Sequence, residues 1–398
     1  MMRVMSEEIP MVSGIPELRA RFGFAELLYV TRPVLPPLAE YAAALEPVWE
    51  RKWLTNQGAV HEDLEQQLAQ YLGVPKVSLF CNGSIALLVA LQALGIEEGE
   101  VITTPFTFPA TPHVVHWNRL TPVFCDIDPV TWNLDPARVE AAITPRTRAI
   151  LGVHVYGTPC DVVAIEALGK RHGLPVIYDA AHAFGTRFIG RALSSYGDMA
   201  ALSFHATKLF TTAEGGALVT HSEEARQKVY YLKNFGIAGE EEVIGPGING
   251  KMSEINAVLG VLQLKRVGEE IGQRHRVAAV YDAALADVPG ITRLPEIEGL
   301  QRNYAYYPVL IDSEVFGHTR DAVYDVMRAC NIVARKYFYP LCSTFPCYAE
   351  LPSCARENLA VAHHVSSRVL CLPMFGGLTS ADAGRVAGLL RALAGLTA

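Results

Sequence analysis

Ser203-Phe-His-Ala-Thr-Lys208-Leu-Phe-Thr-Thr-Ala-Glu-Gly-Gly216 sets one lysine between a hydroxyl-rich turn and a pair of glycines. Lysine is a compact charge on a flexible stem, and a chain that needs a Schiff-base amine puts it in a turn between strands rather than on a solvated helix face. Read alone, Lys208 favours an ordinary loop lysine, because most lysines solvate a surface. The stretch upstream decides between the two.

That stretch is Pro175-Val-Ile-Tyr-Asp179-Ala-Ala-His182-Ala-Phe-Gly185, an apolar run ending in a carboxylate. It reads as a buried strand with an acid at its C-terminal tip. Ligands of open α/β sheets sit at the carboxyl ends of the strands, so Asp179 is expected to face a crevice. A helix N-cap after a strand is the plainer reading of the same residue. Beside Lys208 it gains a sharper one. A lysine for a Schiff base and an anion that keeps a pyridine nitrogen protonated are what a protein supplies to pyridoxal phosphate.

Around these two stretches the chain alternates strands and helices. Strands are expected at Val77 to Phe80, Val101 to Thr104, Pro122 to Asp126, Arg148 to Val155, Pro175 to Asp179 and Gly216 to Thr220. Helices are expected at Pro36 to Arg51, His61 to Tyr71, Asp135 to Ala142, Val163 to Arg171, Glu223 to Lys233 and from Ser253 onward. This is the rhythm of a mostly parallel sheet. The fold class expected is α/β, with a large domain at 31–267 and a smaller α+β C-terminal domain at 268–398. Residues 1–30 are expected to form an N-terminal arm that packs on the smaller domain. Within that domain strands are expected at Tyr304 to Ile311, Val333 to Lys336 and Val369 to Leu372, and helices at Thr319 to Cys330, up to Ser367, and Ser380 to Leu393.

The first strand empties into Cys81-Asn82-Gly83-Ser84, and a helix follows. Glycine and serine at such a turn leave backbone N–H groups converging at a helix N-terminus, which suits a phosphate. A simple N-cap by Ser84 is as natural. Pro105-Phe106-Thr107-Phe108-Pro109 ends the next strand with two aromatics, one of them available to stack on a flat ring.

The 398 residues carry a net charge of −7, with 50% hydrophobic and 19% charged residues. A globular chain follows, and nucleic acid is a poor partner without a long basic run. Eight cysteines lie scattered without a C-x-x-C pair, which suits neither zinc nor a disulfide framework, and no metal is expected. No apolar run reaches membrane-spanning length and the N-terminus lacks an apolar signal core, so a cytoplasmic protein is expected.

Asp179-Ala-Ala-His-Ala-Phe-Gly, Ser203-Phe-His-Ala-Thr-Lys208, Glu214-Gly-Gly, Trp53-Leu-Thr-Asn-Gln-Gly58, Gly247-Ile-Asn-Gly-Lys-Met252 and Leu370-Cys-Leu-Pro373 occur in one order. Together they resemble the DegT/DnrJ/EryC/StrS family of sugar aminotransferases, fold-type I enzymes that use pyridoxal 5'-phosphate. The resemblance implies Lys208 and Asp179 as catalytic residues. It implies Gly83, Ser84 and Ser203 on the cofactor phosphate, with Asn249 reaching it from the second subunit of a homodimer. Phe108 is the stacking ring by register, with Phe106 as core packing in competition, and His182 stands beside the cofactor ring. His154 and Tyr156 also match, in supporting positions, and the Trp53 to Gly58 segment borders the entrance.

The wording of the motifs is similar to members that aminate dTDP-linked 4-keto-6-deoxyhexoses. The implied partners are a dTDP-linked keto sugar, best taken as dTDP-4-keto-6-deoxyglucose, and L-glutamate as amino donor. Arg335 and Lys336 are plausible partners of the pyrophosphate and equally surface charges. A 3-keto sugar aminotransferase and an aminocyclitol or aminoaromatic synthase share every motif. A sugar 3-dehydratase of this family has histidine at the lysine position, so Lys208 argues against it; a non-catalytic sugar-nucleotide binder conflicts with the full set Asp179, Ser203 and Lys208.

Overall fold

The computed structural model describes residues 14–397, so the arm expected at 1–30 is described only from Gly14. Helix α1 (Ile15–Phe22) runs beside the C-terminal part of the chain, where Phe22 and Leu28 enter a core with Leu390 and Ile332. Helices α2 (Leu38–Arg51) and α3 (Ala59–Leu72) follow, and between them Lys52, Asn56 and Gln57 all take positive φ.

The chain then builds β1 (Lys76–Phe80), α4 (Gly83–Ala93), β2 (Glu100–Thr103), α5 (Ala110–Trp117) and β3 (Thr121–Phe124). Next come α6 (Pro136–Ala142), β4 (Thr147–Val153), α7 (Val162–His172) and β5 (Val176–Asp179). After the short pair β6 (Arg187–Phe188) and β7 (Arg191–Ala192) come β8 (Met199–Ser203) and β9 (Gly216–Thr220). Seven strands join in the order β1-β9-β8-β5-β4-β2-β3. Only β9 runs against its neighbours, which makes the sheet mixed and mostly parallel.

Side chains alternate between the two faces of that sheet. Ile150, Tyr178 and Val219 enter one core with α3 and α7, while Ala149, Leu151, Ile177 and Leu218 enter the other with α4 and α8 (Glu223–Lys233). Both faces are covered, which is why these strands read as unbroken apolar runs. The carboxyl ends of β5 and β8 remain to present Asp179 and Ser203.

Past α8 a hairpin of β10 (Ile237–Gly239) and β11 (Glu242–Val243) carries Phe235, Val243 and Ile244 exposed. Then come α9 (Glu254–Leu264) and α10 (Val267–Leu285). The latter crosses from one core to the next: Val267 packs with the sheet, and Tyr281 and Leu285 pack with the C-terminal part. That part holds β12 (Ile291–Arg293), β13 (Leu300–Gln301) and β14 (Tyr307–Ile311). Its remaining elements are α11 (Ser313–Phe316), α12 (Arg320–Ala329), α13 (Ala360–Arg368), β15 (Val369–Leu372) and α14 (Ser380–Leu393). Strands β12, β14 and β15 form an antiparallel sheet, while β13 joins β6 and β7.

The strand expected at Val333 to Lys336 does not form. Only Arg335 pairs with Cys371, on the free edge of β15, before the chain turns inward and buries Phe338 against Phe106 and Tyr156. The two parts share a further core of Phe106, Phe124, Trp132, Phe338, Leu341 and Tyr348. A buried carboxylate adds a tie: Asp126, past β3, accepts the N–H groups of Val361 and Ala362 at 2.9 and 2.7 Å, capping the start of α13. No helix among the described residues is long and apolar enough to cross a membrane.

Candidate active site

Asp179 ends β5, buried and only 8% exposed, close enough to Lys208 for the lysine's charge to act on it. Each oxygen has its own donor. Oδ2 accepts from Thr111 Oγ1 at 2.8 Å, and Oδ1 accepts from the Ala181 N–H at 3.1 Å. Burial pushes its pKa above the ordinary aspartate value, while those two donors and the charge of Lys208 pull it back. No helix follows Asp179, so its side chain organises a turn rather than capping a helix. Beneath it, buried His154 stacks on Tyr178 at 4.4 Å and accepts the Cys160 N–H at 3.2 Å, which marks His154 as a packing residue.

The lysine loop, from Phe204 to Gly215, is built around one carbonyl. Phe204 O accepts from Thr212 N and Thr211 Oγ1, both at 3.0 Å, while the Phe204 N–H donates to Gly215 O at 2.8 Å. Phe204 and Phe210 then pack on Phe184, the aromatic of the aspartate motif, at 5.7 and 4.4 Å. The two motifs are locked by their own rings. Lys208 Nζ reaches the Tyr306 hydroxyl at 3.3 Å. Burial lowers the proton affinity of this amine, and the negative charge of Asp179 partly restores it.

Ser203 and the Gly83 turn meet across the strand between them. Phe80, Gly216 and Ser203 lie level on β1, β9 and β8. A β-carbon on Gly216 would fall 2.5 Å from Gly83 N, and one on Gly83 would fall 2.8 Å from Ser203 Cβ. Only glycine lets the three backbones approach this closely. The cap of α4 is Asn82, whose Oδ1 accepts the Ile85 N–H at 2.8 Å, so Ser84 is not the N-cap. Gly83 and Ser84 begin the helix, and their N–H groups have no partner within the chain among the described residues.

His182 lines the same cavity as Lys208 and Tyr306. Its ring lies nearly parallel to Phe338 and Tyr156, at 5.9 and 6.4 Å. Nδ1 accepts the Tyr156 N–H at 3.1 Å, which leaves the proton on Nε2 in a neutral ring. Burial and the Lys208 charge hold its pKa well below the usual histidine value. Phe106 is fully buried and Phe108 is 57% exposed, so of the two rings Phe108 is the one free to stack.

Asn249 stands apart from these groups. It is exposed, bridges to Asn234 through the backbone, and precedes Gly250, whose carbonyl accepts the Cys81 N–H at 2.8 Å. The first turn of α9 braces the surroundings. Asn256 Nδ2 donates to Thr212 O at 2.7 Å, and the buried Glu254 carboxylate accepts the His61 and Val60 N–H groups at 2.6 and 3.2 Å beside the Trp53 to Gly58 segment.

Three contacts at this site have no role expected from the sequence: Thr111 on Asp179, Tyr306 on Lys208, and Phe338 on His182. Thr111 stands in the first turn of α5, four residues past Thr107, and that spacing is the one signal the sequence offers. Of the two roles open for Lys336, its surroundings favour the surface charge: its ammonium is 2.5 Å from Asp321 and lies over the Tyr324 ring. Arg335 remains exposed, and no ion pair engages it among the described residues.

The residues present fit pyridoxal phosphate: a closely packed glycine and serine turn whose N–H groups have no partner among the described residues, a buried carboxylate held by two donors, and an amine of lowered proton affinity whose charge acts on that carboxylate. The sequence pattern of the DegT/DnrJ/EryC1/StrS aminotransferase family matches residues 38–391. The dTDP-4-amino-4,6-dideoxy-D-glucose transaminase of Escherichia coli is 46% identical over 364 residues, covering 91% of this chain and 97% of the relative. The GDP-perosamine synthase of Caulobacter vibrioides is 37% identical over 341 residues, covering 85% and 91%. The crystal structure of DesI in the presence of its TDP-sugar product superposes with a TM-score of 0.89 at 37% identity, covering 94% of each chain.

Proposed function

Because the chain belongs to the DegT/DnrJ/EryC1/StrS aminotransferase family and is an aminotransferase, we propose that it moves the amino group of L-glutamate onto a dTDP-linked 4-keto-6-deoxyhexose. The substrate is dTDP-4-keto-6-deoxyglucose and the product dTDP-4-amino-4,6-dideoxyglucose. The observation that carries this reading is the 46% identity to a transaminase named for that sugar, over nearly its whole length.

Gly83, Ser84 and Ser203 would hold the phosphate of pyridoxal phosphate, Asp179 its ring nitrogen, Phe108 one ring face and Lys208 its aldehyde carbon. The cofactor supplies an electron sink and a carrier for the amino group. The residues do the rest. Lys208 Nζ, with its proton affinity lowered by burial, would, once the amino donor displaces it from the aldehyde carbon, take the proton from the α-carbon of glutamate and pass it to that carbon rather than back to glutamate. Tyr306 holds that amine through its hydroxyl at 3.3 Å. His182, fixed by Tyr156 and Phe338, presents Nε2–H to the cavity as a neutral donor.

The active site is shared in a homodimer, with Asn249 reaching the partner's phosphate cradle. The projecting hairpin with exposed Phe235, Val243 and Ile244 supports a covered face there. Arg335 is the cation assigned to the pyrophosphate. We assign the reaction to the cytoplasm, a reading its eight unpaired cysteines support.

The test is turnover of purified protein with L-glutamate and dTDP-4-keto-6-deoxyglucose. We expect 2-oxoglutarate in step with a 4-amino sugar identified by mass and NMR. Amination at carbon 3, turnover only with the GDP-linked sugar, or turnover only with a free cyclitol ketone would overturn the substrate assignment.

A further inference from the structure

We propose that Thr111, itself oriented by Thr107, is a positioning residue that keeps Asp179 charged and aimed. This rests on the reading above that Asp179 faces the ring nitrogen of the cofactor.

Thr111 Oγ1 lies 2.8 Å from Asp179 Oδ2, and Thr107 Oγ1 lies 2.8 Å from Thr111 Oγ1. All three side chains are buried. A hydroxyl has one hydrogen, and an ionised carboxylate only accepts. With Asp179 charged, the direction of the chain is therefore forced: Thr107 donates to Thr111, and Thr111 donates to Asp179. The Ala181 N–H on the other oxygen completes a two-point hold from a different part of the chain, so the carboxylate cannot rotate without losing a donor.

The outer hydroxyl is fixed in turn. Cys342 donates from its N–H to Pro105 O at 3.0 Å and from Sγ to Thr107 O at 3.3 Å, so the turn that carries Thr107 is pinned by the C-terminal part of the chain. The other titratable groups that act with Asp179 are Lys208 and Tyr306, of which only Lys208 brings positive charge. Burial works against the carboxylate. Donors to the charged form work for it, and Thr111 is the largest of these.

A valine at 111 fills the same space without the hydroxyl, and a serine keeps the hydroxyl without the methyl, so the two variants separate hydrogen bonding from packing. The measurement is the pH titration of the cofactor's visible absorbance in the loaded protein, together with cofactor affinity. Thr111→Val should move the midpoint by about one pH unit in the direction of Asp179→Asn and weaken cofactor binding. Thr111→Ser should restore both, and Thr107→Val should shift the midpoint the same way by less. An unshifted Thr111→Val, or a Thr111→Ser shifted as far as valine, overturns the proposal. If Asp179→Asn is also unshifted, the assignment of Asp179 fails with it; if Asp179→Asn shifts alone, only the role of Thr111 fails. Should Thr111→Val not fold, an unshifted Thr107→Val overturns the relay.

Discussion

Gly83 is backed onto Ser203 so closely that a β-carbon at position 83 would sit 2.8 Å from Ser203 Cβ and 3.0 Å from its Cα. Both contacts are with a strand end that cannot swing aside. Gly83→Ala should therefore separate the helix start from Ser203 and spoil the convergence of donors on a phosphate. Loss of one bond to a charged group corresponds to roughly 10- to 100-fold weaker cofactor binding. Fluorescence titration with pyridoxal phosphate measures it, and unchanged affinity would show that the cradle lies elsewhere.

Tyr306 offers a milder intervention on Lys208. Removing its hydroxyl in Tyr306→Phe deletes the 3.3 Å contact and leaves the ring that packs against His182 at 4.5 Å. One hydrogen bond to a charged amine is worth roughly a tenfold change. The expected result is a kcat lowered by about that factor, with cofactor affinity unchanged. A variant that loses the cofactor instead would assign Tyr306 to binding.

Much of this site was legible because local pattern and final position coincide. An apolar run that stops at Asp179 had to be a buried strand with its acid at the ligand end. Ser222, Ser253, Thr319 and Thr379 cap helices by accepting the N–H three residues on, so those helix starts were readable as well. Other elements hid. Helix α5 follows Pro105 and Pro109, whose turn chemistry masked a helix starting at Ala110. Helices α9 and α10 meet at Lys265 and Arg266 with no glycine or proline, so one period runs into the next. Thr111 and Tyr306 reach Asp179 and Lys208 across 68 and 98 residues, a juxtaposition only tertiary packing creates.

Acid should weaken the fold through two neutral, buried histidines. Burial lowers the pKa of His61 to about 4, with Glu65 raising and Lys233 lowering it further, and burial lowers His154 to about 3. Folded pKa values below the unfolded one mean the unfolded chain binds the proton first. The stabilisation is thus complete above pH 6.5 and is lost as pH falls, through 4 for His61 and 3 for His154. For His61 the loss is on the order of 3 kcal/mol. Both its ring nitrogens lack a partner, so His61→Leu should keep stability at pH 7 and lose less than wild type at pH 4 in denaturant unfolding. Parallel pH profiles would contradict this.

Subunit mixing tests the shared site. Lys208→Ala and Asn249→Asp proteins should each be inactive or nearly so. Exchanged in equal amounts, they should regain about a quarter of wild-type activity, because one site of each hybrid then has both residues intact. No recovery in confirmed hybrids would place Asn249 in its own subunit's site.

Borohydride reduction tests most directly whether Lys208 carries the cofactor. Purified protein should absorb in the visible range; borohydride reduction should remove that band and leave a pyridoxyl mass on the peptide containing Lys208. Lys208→Ala should show neither the band nor the label, and no transfer from glutamate. A label on another lysine, or a Lys208→Ala protein that still transfers the amino group at the wild-type rate, would contradict the account.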